Sequence, residues 1–257
     1  FSLRRIALPA FGPSLMQGMA EGAVYPVLAL SALDLGASPA LAGFVVALLP
    51  IGQMVGNLPA AALTSHWGER RAMVGSALAG LVALLLCLAA PSLWLFAMAV
   101  LVMGLVGSVF KLARQTWLTE AAPLAVRARA MSTLGGTVRI GMFIGPFLAA
   151  AGIHVFGLSG AYGVAMFAMA AAGAIAFAVP DLPTPALAAG PSGSSVQTLG
   201  ASLRQHGRVF LTLGLASGLV TALRACRQIV IPLWAESIGL SATDTALIYG
   251  LMGTVDM

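Results

Sequence analysis

Long apolar stretches recur along this chain at a length that suits a lipid bilayer and little else. A helix needs about 20 predominantly apolar residues to cross the hydrocarbon core. Such stretches lie near residues 6–31, 40–64, 72–90, 93–117, 132–153, 160–180 and 209–235, and an eighth begins near 244. Of all residues, 60% are hydrophobic and only 8% charged, against the roughly 25% charged share of soluble domains. The chain therefore reads as an all-α membrane protein, since a helix satisfies its backbone groups within one segment. The net charge of +5 comes from basic residues that form no surface run, which argues against a nucleic-acid partner. The sequence opens at Phe1 and closes at Met257 inside the eighth apolar run, as expected of a piece of a longer chain.

The connections give an orientation. Arg4, Arg5, Arg70, Arg71, Arg127, Arg129, Arg204 and Arg208 flank alternate connections, whereas the opposite ones hold Asp34, Glu236 and Asp244. Lys and Arg in short loops stay cytoplasmic, so the N-terminus is expected there, in the plasma (inner) membrane. The stretch from Pro180 to Gly207 is rich in Pro, Gly and Ser and reads as a cytoplasmic linker. It divides the chain into a six-helix bundle (1–180), a linker (181–208) and the start of a second bundle (209–257).

The fifth span is unusual. Residues Gly135 to Gly152, GGTVRIGMFIGPFLAAAG, hold five glycines, one proline and one arginine. In a soluble helix each glycine costs about 1 kcal/mol and an interior proline about 3, whereas neighbouring helices in lipid re-satisfy the freed backbone groups. Gly141 and Gly145 stand four apart on one face and admit another backbone, while Pro146 loosens the next turn. With Arg139 just upstream, the segment resembles the fifth-helix antiporter motif of the drug-exporting branch of the major facilitator superfamily. Ala149 and Ala150 stand where the family has a glycine pair, and before Gly104 this chain has Val100 where the exporters' fourth helix carries arginine.

Two loops extend the resemblance. ALTSHWGERR, from Ala62 to Arg71, is similar to the family's cytoplasmic motif, with Gly68, Arg70 and Arg71 in place but Ser65 where the acid usually stands. EAAPLAVRARAM is similar to the matching loop after span 4 through Pro123, Arg127 and Arg129. Gly68, Arg70 and Arg71 then fall to gating, as Gly141, Gly145 and Pro146 do to helix packing. Both loops also have a bland reading as positive-inside anchors. An internal repeat agrees: aligning Pro26 with Pro232 sets Ala29 opposite Ala235 and, after a short gap, Gly36 opposite Gly239 and Ser38 opposite Ser241. The resemblance implies a six-helix N-terminal half followed by the first one to two helices of a C-terminal half.

Ionisable residues at membrane depth are costly and face a cavity or a partner. Glu21 is the sharpest candidate, because a carboxyl that gains and loses a proton can couple transport to a proton gradient; the bland alternative is a fixed ion pair with Arg139 or Arg227. Tyr25, one turn above, can bond that carboxyl or stack on cargo. Arg224 and Arg227 share one face of span 7 and suit an anionic group or pairing with acids elsewhere, and Asp256 lies in the eighth span. Lys111 and Arg114 read as side chains that snorkel to the cytoplasmic interface. Cys87 and Cys226 fall in apolar spans and read as buried thiols.

No catalytic triad, metal-ligand spacing or phosphate loop appears, so neither an enzyme nor a cofactor is expected. The reading is a secondary transporter, expected to be monomeric, that moves a small molecule by alternating access. Proton-coupled export of an amphipathic or anionic compound is the leading expectation. A metabolite or organic-anion facilitator or symporter, and a non-transporting scaffold or sensor, are the alternatives.

Overall fold

The computed structural model describes residues 3–178 and 207–253. Among them lie eight helices: α1 (Leu3–Asp34), α2 (Pro39–Trp67), α3 (Glu69–Leu88), α4 (Leu93–Ala121), α5 (Leu124–Phe156), α6 (Leu158–Ala178), α7 (Gly207–Ser237) and α8 (Ala242–Met252). Each expected span is matched by a helix, most of them extended at their polar ends. The linker at 181–208 lies almost wholly outside the described residues. Helices α2 to α6 are long and apolar enough to cross a membrane. α1 is long, but Ser14, Gln17 and Glu21 interrupt its apolar run. The chain falls into two units, residues 1–182 with 229–257 and residues 183–228; every contact described below lies within the first.

α1 runs through the interior, with residues 22–30 buried without interruption. It packs mainly on α5 and α6, and α4 packs mainly on α2 and α3. Exchanging α1 for α4, α2 for α5 and α3 for α6 reproduces this pattern. The bundle is thus two three-helix units of opposite direction, related as inverted repeats.

Glycines hold the two units in the same way. A methyl group added at Gly141 of α5 would meet the backbone of Leu15, Gly18 and Met19, and one at Gly145 that of Met19, Gly22 and Ala23. In the equivalent contact between the units, Gly52 of α2 meets the backbone of Leu101, Gly104 and Leu105 of α4, and Gly56 that of Leu105 together with the Ser108 hydroxyl. Gly18 and Gly22 on α1 therefore correspond to Gly104 and Ser108 on α4. Small residues four apart bring each pair of helices to backbone contact, the close approach that drives association in lipid. Gly135 and Gly136 have nothing within 4 Å of a would-be side chain, so the glycines of the fifth span divide between packing and open faces.

The repeat between the ends of α1 and α7 is visible in the turns. Gly36 (φ +84°) and Gly239 (φ +79°) both adopt the left-handed conformation that glycine favours. Gly36 N donates to Leu33 O at 2.8 Å and Ala37 N to Ala32 O at 3.0 Å, as Gly239 N does to Glu236 O at 2.9 Å and Leu240 N to Ala235 O at 3.0 Å. Ser38 and Ser241 then cap α2 and α8 through their hydroxyls. This register places Ala32, rather than Ala29, opposite Ala235. Both helices run unbroken into their turns, so neither has the extra turn that an alignment gap would require.

Candidate functional site

The interface between α1 and α4 gathers the polar chemistry. Gln17 and Glu21 stand four apart on α1 and hence on one face. Gln17 Nε2 donates to Glu21 Oε1 at 3.1 Å and approaches the Gly107 carbonyl oxygen of α4 at 3.5 Å. Arg114 Nη1 donates to Gln17 Oε1 at 3.0 Å. Gln17 and Arg114 are each only 3% exposed, while Glu21 is half-buried. Arg114 is therefore no snorkelling side chain: its guanidinium lies in the bundle with its Nε unpartnered among the described residues. The cations whose charge acts on Glu21 are Lys111 and Arg114. Arg139 is exposed on α5, so it is α4 that supplies the charge.

Glu21 borders a small, partly open recess. From α1 it is lined by Glu21, Gln17, Val24, Tyr25 and Leu28, facing Gln53 of α2 and Gly107 of α4. Leu49, Leu84, Met103 and Met169 close it with apolar and pliable surface. Gly107 faces Glu21: a methyl there would make an ordinary 3.9 Å contact with Oε1, and a longer side chain would enter the recess. Tyr25 is buried, with the Gln53 side chain at its hydroxyl and Tyr249 of α8 close by. A narrow apolar chamber with a few convergent polar groups suits a small-molecule site.

The remaining sequence candidates are dispersed. Gly141, Gly145 and Pro146 are buried on α5, the two glycines against α1. Gly68 alone separates α2 from α3, at φ +80° and ψ 160°, a conformation suited to glycine. Arg70 lies over the Phe177 ring of α6, 4.9 Å from its centroid, while Arg71 is exposed. Arg227 is half-buried on α7 and belongs to the second unit. The Arg224 side chain and Asp256 lie outside the described residues. Cys87 is buried, as expected, but Cys226 is exposed. Gln17, Gln53 and Gly107, which the sequence reading passed over, complete the site; the one sequence signal for Gln17 was its place one turn before Glu21.

A helical bundle of inverted three-helix units, a carboxyl in its interior and a turn repeated at α1 and α7 define a secondary-transporter architecture. The sequence matches the model of the Major Facilitator Superfamily over residues 12–257, and the chain belongs to that family. No curated protein matches it. Among solved structures it is similar to a D-xylose-proton symporter, with a TM-score of 0.69 and 14% identity over 98% of this chain and 66% of the other. It is also similar to the inward-open xylose transporter XylE from E. coli, with a TM-score of 0.63 and 14% identity over 98% of this chain and 67% of that one. An auto-inhibited POT family peptide transporter follows, with a TM-score of 0.60 and 16% identity over 96% of this chain and 53% of the other. The chain thus spans between about half and two thirds of these proteins' length, and the likeness is one of fold.

Proposed function

We propose that this chain contributes the first bundle and the start of the second to a proton-coupled secondary transporter that moves a small molecule by alternating access, its N-terminus cytoplasmic. The observation that carries the reading is Glu21, a carboxyl in the bundle interior beside two cations, bordering a mostly apolar recess. Such a group is costly to keep in a membrane without a use. Proton uptake at Glu21 would switch the recess between a charged and a neutral state, and cargo would bind to one of them. Lys111, Arg114 and Arg139 against the single acid Glu21 on the membrane-spanning parts of the first six helices favour neutral or anionic cargo.

The similarity to structures named as a proton symporter and a peptide transporter favours symport of a metabolite. Export by proton antiport is the second reading, favoured by the glycines and proline of α5. The test is flux in proteoliposomes of the full chain with a pH dye inside, screened over sugars, peptides and organic acids. Glu21→Gln is expected to retain exchange of cargo between the two sides and to lose accumulation driven by a pH gradient. Accumulation at the wild-type rate would refute the proton site.

A further inference from the structure

Resting on the reading of Glu21 as the proton site, we infer that Gln17 is a positioning residue: an amide spacer that keeps Arg114 from pairing directly with Glu21 and leaves one carboxyl oxygen open to a proton. A guanidinium only donates hydrogen bonds, so the amide oxygen of Gln17 turns to Arg114 and its NH2 group to Glu21. The reverse orientation would set N–H against N–H on one side and oxygen against oxygen on the other. The second amide hydrogen points to the Gly107 carbonyl oxygen at 3.5 Å. Three neighbours on two helices thus hold one small group, itself buried.

The consequence falls on the two oxygens of Glu21. Oε1 faces the Gln17 donor whether the carboxyl is charged or neutral. Oε2 takes part in no hydrogen bond among the described residues, so a proton can join it without breaking this chain of contacts. A direct fork from Arg114 would engage both oxygens, and protonation would then have to break a charged pair in a medium of low dielectric. The groups acting on Glu21 are few. Lys111 and Arg114 face it from α4 and Gln17 from α1; Tyr25 stands a turn away with Gln53 of α2 and Tyr249 of α8 about it; α3 and α6 present Leu84 and Met169 to the recess.

Carbodiimides modify protonated carboxyls in apolar surroundings, so dicyclohexylcarbodiimide serves as a probe that needs no cargo. In the full chain, purified in detergent, modification of Glu21 at pH 7 is followed by peptide mass mapping. Gln17→Ala frees Arg114 to reach Glu21 and is expected to lower that modification at least tenfold, while Gln17→Ala combined with Arg114→Leu restores it. Gln17→Ser, which also removes the intervening volume, is expected to behave as Gln17→Ala and replaces it if that variant does not assemble. Unchanged or increased modification in the single variants would overturn the spacer, making Gln17 a simple donor to the carboxyl. An unmodified Glu21 in the wild type from pH 5 to 9 would instead overturn the proton site itself, and the spacer with it.

Discussion

Gly141→Ala tests the contact on which the placement of Glu21 depends. A methyl at this position would lie 2.8 Å from the Met19 amide nitrogen, 3.1 Å from the Gly18 carbonyl carbon, and closer still to the Leu15 carbonyl oxygen. Ordinary contacts of this kind begin at 3.4 Å, so α1 must retreat by about 0.6 Å at Met19 and further at Leu15. Every obstacle is backbone, and no rotamer change relieves it. Overpacking of this kind costs about 1–3 kcal/mol, against about 1 kcal/mol gained from the higher helix propensity of Ala. Gly163→Ala on α6 is the control, because nothing lies within 4 Å of its would-be side chain and only the propensity gain applies. The two variants should differ by about 2 kcal/mol, roughly 4–8 °C in unfolding midpoint for a chain of this size. In a Cys226→Ser background, Cys87, buried and unpaired, reports the transition by becoming reactive to a thiol-specific fluorophore as the detergent-solubilised protein is heated. Equal midpoints for Gly141→Ala and Gly163→Ala would refute the claim that α1 and α5 meet backbone to backbone.

Two further outcomes bear on the recess and the topology. Gly107→Ala should leave carbodiimide modification of Glu21 within about twofold of wild type, because its methyl would make an ordinary 3.9 Å contact; Gly107→Leu should fill the recess and block the reagent, and equal reactivity in the two would place the opening elsewhere. A cysteine at exposed Ala40, beside Asp34, should react with an impermeant maleimide in right-side-out vesicles of a cysteine-free background, whereas one at exposed Ala125, beside Arg127, should react only after permeabilisation; the opposite pattern would invert the orientation.

The helices were legible because length and apolarity suffice for a crossing, and their ends ran on because polar residues near the interface, such as Gln115 to Glu120, continue a helix without adding to its apolar count. The rotation of each helix about its axis was not legible. Arg114 sits where a residue count predicts snorkelling, whereas the packing of α4, with Gly104 against α2, turns it inward. Its bond to Gln17 joins residues 97 positions apart, and a neutral amide leaves no mark on charge or hydropathy. The partner of Glu21 was accordingly sought on α5 and α7. Likewise Gly141 and Gly145 announced a close contact without naming Gly18 and Gly22 as its other side.

The duplicated contact also explains how an acid is accommodated here. With Gly18 and Gly22 of α1 equivalent to Gly104 and Ser108 of α4, the position just before the second small residue is Glu21 in one unit and Gly107 in the other. The same step along each helix points both positions into the region between α1 and α4, where two side chains of ordinary size would compete for one volume. The carboxyl occupies it opposite a glycine, where any side chain longer than a methyl would intrude, and the carbonyl oxygen of that glycine lies 3.5 Å from Gln17 Nε2. A symmetric scaffold thus acquires a single off-centre charge from a difference at one equivalent pair of positions. Arg114, two turns along α4 from Gly107, and Gln17, one turn before Glu21 on α1, then complete a polar line that the backbone-close packing of α1 with α5 and of α4 with α2 holds in register.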